Sequence, residues 1–139
     1  MDRVRLFALA AGGAAAVLLL SAAQRPAALA PTSGGLWEIN GVPTASGPVR
    51  MCLGDTVELA QFEHRGQNCR RTLISDTPST TVIHYTCAGG GFGETRMTLV
   101  TPRSLRVETQ GISGNFPFHY VLQARRIGDC RGAATASAH

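Results

Sequence analysis

The sequence predicts an all-β fold: an antiparallel meander, as a curved sheet or partly closed barrel of about seven strands, with one short helix and two disulfides. Three observations predict it. Between Thr80 and Cys130 the residues alternate with period two over four segments in succession, as strands with one packed face do. The segments are separated by glycine and proline turns. Four cysteines, an even number, fall after the N-terminal apolar segment, one of them ending the first strand of that stretch and another just past its last strand.

The breaks inside Thr80 to Cys130 are chemically distinct. Gly89-Gly90-Gly91-Phe92-Gly93 separates the first strand from the second, because glycine admits backbone conformations that other residues avoid. Thr101-Pro102-Arg103-Ser104 separates the second from the third, where proline sets a turn and cannot donate to a ladder. Gly111-Ile112-Ser113-Gly114-Asn115 separates the third from the fourth. The alternation assigns faces. Ile83, Tyr85 and Cys87 oppose Val82, His84 and Thr86. Thr95, Met97 and Leu99 oppose Arg96, Thr98 and Val100. Leu105, Val107 and Thr109 oppose Arg106, Glu108 and Gln110. Phe118, Tyr120, Leu122 and Ala124 oppose His119, Val121, Gln123 and Arg125. Short connections make a meander the simplest topology.

From the N-terminus, Met1 to Arg5 is a short basic stretch and Leu6 to Ala23 carries no charge. That is the pattern of a secretory signal peptide over residues 1–23, with Ser21 and Ala23 as the small residues before the cut. Ala28-Leu29-Ala30 is a second candidate site. The rival is an uncleaved anchor, near the lower length limit for a membrane span; it would be the chain's one membrane contact. Cleavage lowers the formal net charge of +4 by one. Residues 24–33, rich in Ala and Pro, read as a flexible lead-in. The single domain is then 34–130, and the small, polar residues 131–139 read as a disordered tail. Within the domain, Leu36 to Ile39 is the first strand and holds the only tryptophan. Val49 to Leu53 is the second. Asp55 with Glu58 makes a capping box for a short helix from Thr56 to about Glu63, which His64-Arg65-Gly66 closes. Cys69 to Ser75 is a third strand.

Exported chains with an even cysteine count form disulfides, so Cys52, Cys69, Cys87 and Cys130 are expected to pair. Spacing alone leaves all three connectivities open. The expected pairing is Cys52–Cys69, which would clip the helix, and Cys87–Cys130, which would tie the ends of the four-strand stretch. There is no CxxC and no zinc-site spacing, so no metal or cofactor is expected.

The chain holds no lysine and 13 arginines. The absence of lysine excludes a P-loop and an S-x-x-K site, and no segment has the spacing of a nucleophile elbow. The modest charge and the absence of basic runs interleaved with aromatics argue against nucleic acid as a partner. The chain is therefore read as a non-enzyme. His84 and His119 are the residues that would share a face if their strands approach, and Glu94 and Glu108 are carboxylates on wet positions. Met97, Leu99, Leu105, Phe118 and Tyr120, with Phe116, are the candidate lining of an apolar cavity inside a curved sheet. Arg96, Arg106 and Arg125 are candidates for holding an anionic group.

The landmarks Gly35-Leu36-Trp37-Glu38, Cys52-Leu53, Cys69, Cys87 and Arg125-Arg126-Ile127-Gly128-Asp129-Cys130, in that order, resemble a family of small exported proteins of Gram-negative bacteria whose domain has no known function. The resemblance runs from about Gly34 to Cys130. It implies a periplasmic or secreted location and paired cysteines, with Gly128-Asp129 placing Cys130 for its disulfide. It brings no catalytic residues. Two functions follow as expectations: binding of a lipid or other apolar small molecule, or a structural or protein-interaction module of the cell envelope. The partner itself is unknown at this level.

Overall fold

In the computed structural model, residues 25–131 are described. The expected signal peptide, residue 24 and the expected tail beyond Arg131 lie outside them. Seven strands form one open antiparallel sheet: β1 Gly35–Asn40, β2 Val49–Leu53, β3 Cys69–Asp76, β4 Thr80–Cys87, β5 Phe92–Thr101, β6 Ser104–Ser113 and β7 Phe116–Gly128. Their order across the sheet is β2-β1-β7-β6-β5-β4-β3. β3 to β7 form the expected meander. The β1–β2 hairpin adds to its far side through β1 and β7. β2 and β3 are therefore the two edges, and the segment between them crosses the inner face of the sheet.

That crossing segment holds the expected helix, Thr56–His64, as a 3-10 helix with a kink at Gln61. The Asp55 carboxylate accepts from the backbone N–H of Val57 at 2.9 Å, and the Glu58 carboxylate accepts from the N–H of Asp55 at 2.8 Å. The capping box thus satisfies helix-end donors that have no partner within the helix. Leu59, Ala60 and Phe62 face down onto the sheet and are buried.

The core lies between this helix and the inner face. The alternation places Trp37, Ile39, Met97, Leu105, Val107 and Leu122 inward, none more than 1% exposed. Each such side chain contributes about 1.5–3 kcal/mol by leaving water. Thr95 and Thr109 also point inward. Their hydroxyls are 2.8 Å apart, and Thr95 donates to the Ala60 carbonyl at 2.6 Å, tying the helix to β5 and β6.

The stretch expected as a flexible lead-in is packed from Arg25 onward. Ala27–Leu29 forms a 3-10 turn, and Ala28 and Leu29 are fully buried. Arg25 donates to the Leu29 carbonyl, the Thr32 carbonyl and the hydroxyls of Thr32 and Thr56, and pairs with Asp55. The N–H of Ala27 donates to Asp76 on β3. The Ala/Pro composition is that of a linker, but Leu29 has a hole in the core to fill, and that burial overrides composition.

The expected disulfide pairing is also corrected. The bonds are Cys52–Cys130 and Cys69–Cys87. Cys52 lies on edge strand β2 and Cys69 on the opposite edge, six strand spacings or ~29 Å apart along the sheet, whereas a disulfide needs Cα atoms within about 7 Å. Cys69 instead faces Cys87 directly in the β3–β4 ladder. Cys130 reaches past β1 to β2: Leu36 on β1 pairs with Cys52 on one side and Gly128 on the other. Asp129, beside Cys130, accepts from Arg126 at 2.8 Å.

Edge strand β3 is exposed along nearly its whole length. It carries Arg70 and Arg71 and has a register shift around Ile74. Charged residues and bulges discourage pairing with another chain's strand.

Candidate functional site

The outer face of the sheet is ordered into rows that run across the strands. In one row His84 pairs with Glu94, Glu94 with Gln110, and Gln110 with His119. In the next row, toward the β6–β7 turn, Phe92 pairs with Ile112 and Ile112 with Pro117. One row is polar and titratable, and the other is apolar. Both follow from period-two alternation in neighbouring strands, since residues two apart share a face.

A groove of about 500 Å³ lies over these rows. Phe92, Ile112, Pro117 and Phe118 supply its apolar surface, and His84, Glu94, Gln110 and His119 its polar groups. Its volume falls within the range of small-molecule sites, about 300–1,000 Å³. The rings of His84 and Phe92 are 6.5 Å apart. Phe92 is 42% exposed, and Phe116, at the adjoining hairpin tip, is 75% exposed.

The five residues expected to line an interior cavity are distributed differently. Met97 and Leu105 lie in the sealed core, with Leu99 and Tyr120 packed against it. Phe118 is half-buried on the inner face, against the rings of His64 and Tyr120, and borders the groove where Gly93 and Gly111 carry no side chain. Tyr120 lies on a second depression of about 360 Å³, which includes Phe62, Glu63 and Arg65, and its hydroxyl donates to Glu63 at 2.8 Å.

The three candidate anion-holding arginines lie on the outer face beside carboxylates. Arg106 pairs with Glu108 at 2.9 Å and Arg125 with Glu38 at 3.4 Å. Arg96 stands opposite Glu108 in the ladder. Glu108 also accepts from His119 at 3.2 Å. The bonds from Arg106 and then His119 hold its carboxyl below the usual carboxylate range. His84 and His119 do share a face, with β5 and β6 between them, ~14 Å along the sheet. They line one groove without forming a pair.

Sequence reasoning passed over a buried pair beneath the groove. His64 closes the helix by sequence, but its ring is only 3% exposed. Its Nδ1 is 2.9 Å from the Tyr85 hydroxyl, and its ring rests against Phe118 at 5.9 Å. Nε2 has no hydrogen-bond partner and faces Gly91. The signal was the glycine run at the start of β5: a Cβ on Gly91 would overlap this imidazole, and one on Gly93 would lie 2.7 Å from the Tyr85 hydroxyl. Burial and the Glu63 charge push Tyr85 up to about 12, against an opposing hydrogen bond to Thr109. Burial and then the bond to Glu63 push Tyr120 well above the ordinary phenol value.

A family model described as a protein of unknown function (DUF3617) matches residues 28–130. No curated protein and no solved structure matches.

Proposed function

We propose a function from the premise that this chain belongs to the DUF3617 family of proteins of unknown function: the domain is a non-catalytic binding module that holds a small apolar molecule in its outer groove. The observation that carries this reading is the groove itself, where an apolar row and a polar row lie side by side over about 500 Å³. The sealed interior at Met97 and Leu105 argues for the outer surface over the inside of the sheet. A non-catalytic role is supported by the separation of His84 from His119 and by the engagement of His119 with Glu108.

The two disulfides suit an oxidising compartment, and a periplasmic or secreted location is part of the proposal. A second reading, a protein-interaction module of the cell envelope, draws on Phe116, which stands 75% exposed at the hairpin tip.

Native mass spectrometry of the protein isolated gently from the exported fraction tests the first reading. A reproducible small adduct, lost on denaturation and absent from Phe92→Ser, supports it. A bare native mass for the wild-type protein favours the interaction module.

A further inference from the structure

The groove is uneven in charge. Its polar groups are two histidines, one glutamine and the carboxylate of Glu94. Glu94 is exposed, and no ion pair or hydrogen bond of its side chain is found among the described residues. Among the described residues no arginine lines the groove. The nearest on the same face of β5 is Arg96, on the far side of Glu94 from Phe92, where it stands opposite Glu108. On the groove side, Glu94 is flanked by two rings: His84 directly across in the ladder and Phe92 two residues back.

We infer that the groove takes an organic cation, an apolar body bearing a permanently charged ammonium group, with the charge between Glu94 and the rings of Phe92 and His84. This rests on the proposed binding role of the groove and names the ligand class. Two separate forces favour a cation there. The faces of aromatic rings are negative and attract ammonium groups, most effectively quaternary ones that have no hydrogen-bonded water to lose. A carboxylate with no ion pair among the described residues, whose neighbour Arg96 stands on the far side opposite Glu108, adds Coulomb attraction. An anion meets Glu94 and the same ring faces with the opposite sign. A neutral molecule gains only the apolar contact.

Three probes of matched shape distinguish these cases: benzyltrimethylammonium, its uncharged carbon isostere neopentylbenzene, and benzenesulfonate. The readout is an NMR titration of the purified protein, followed at the Ile112 methyl groups and the Gly93 and Gly111 amides. The cation is expected to bind about fivefold more tightly than the isostere, and the anion more weakly than either. Glu94→Gln, an exposed substitution expected to leave the fold intact, should bring the cation toward the isostere and leave the isostere unchanged. Raising salt should weaken only the cation. If the isostere binds as tightly as the cation, or Glu94→Gln does not alter the cation's affinity, the charge assignment is overturned and the groove's binding role stands. If none of the probes shifts the groove signals, the binding role fails and this inference with it.

Discussion

His64 Nδ1 and the Tyr85 hydroxyl share a hydrogen bond of 2.9 Å inside the core, their ring centroids 5.4 Å apart and steeply inclined. The bond joins the last residue of the crossing helix to β4, the strand beside edge strand β3. Removing the hydroxyl leaves Nδ1 buried without a partner, as Nε2 already is. A stranded buried polar group costs about 1–3 kcal/mol. Tyr85→Phe is therefore expected to destabilise the protein by that amount in urea unfolding. His64→Leu combined with Tyr85→Phe should cost less than the sum of the two single changes, because the double variant strands nothing. Strict additivity would mean that the pair is not coupled.

The same pair fixes the glycines. Gly91→Ala places a methyl group against the His64 ring. Overpacking of this kind costs about 1–3 kcal/mol, and each kcal/mol lowers the melting temperature of a domain this size by roughly 4–8 °C. Gly89→Ala is the control. Its Cβ would meet only Gln67, at an ordinary 3.7 Å, so thermal melting should change little. Equal losses at the two positions would show that the turn's flexibility, and not the imidazole, requires glycine.

Much of the fold was legible because each signal was local. Period-two alternation gave the faces of β5, β6 and β7, and Asp55 with Glu58 gave the helix start. What was not legible depended on distance across the sheet. Cys52 and Cys69 are near in sequence and flank one helix, but the segment that carries that helix crosses the sheet from edge to edge, so the cysteines end far apart. The groove was legible only in part. His84, His119, Glu94 and Phe118 stood out singly, but their register across four strands is set by the turn geometry. Phe92 read as part of a glycine turn although it opens β5. His64 read as a helix terminus, and nothing in its neighbours marked it as buried.

The chain has two tyrosines, and both phenols are pushed upward, mainly by burial. A folded-state pKa above the unfolded value of about 10 favours the neutral phenol in the fold. That contribution is complete below pH 10 and is lost as pH rises from there through about 12, the value for Tyr85. The phenolate absorbance of the native protein should thus be delayed past pH 10 and should appear together with unfolding. In strong denaturant both tyrosines should titrate near 10. A native phenolate signal at a quarter of the full two-tyrosine amplitude by pH 10 would mean that one ring is open to water.

Leu29 is fully buried, yet it precedes the first strand by several residues. A chain beginning at Gly34 loses this side chain, Ala28 and the Arg25 bonds to Thr32 and Thr56. The Leu29 cavity alone should cost about 2–5 kcal/mol. Urea midpoints of the chains beginning at Arg25 and at Gly34 measure the difference. Equal midpoints would restore the linker reading of residues 25–33.

The two disulfides should differ in what they contribute. In the chain-entropy model the cost of losing a crosslink grows with the loop it closes. Cys52–Cys130 spans 78 residues and Cys69–Cys87 spans 18, corresponding to about 4.5 and 3 kcal/mol. The shorter bond also joins residues that the β3–β4 ladder already holds face to face, whereas the longer one fastens β2 to the end of β7 past β1. Replacing Cys52 and Cys130 by alanine should therefore lower stability more than replacing Cys69 and Cys87. The longer crosslink also holds the β1–β2 hairpin, and Trp37 with it, against the rest of the sheet. The fluorescence of this single tryptophan in urea reads that directly. Without Cys52–Cys130 its transition should move to lower urea, whereas without Cys69–Cys87 it should move less. The reverse order would show that edge strand β3, and not the β1–β2 hairpin, is where the sheet begins to open.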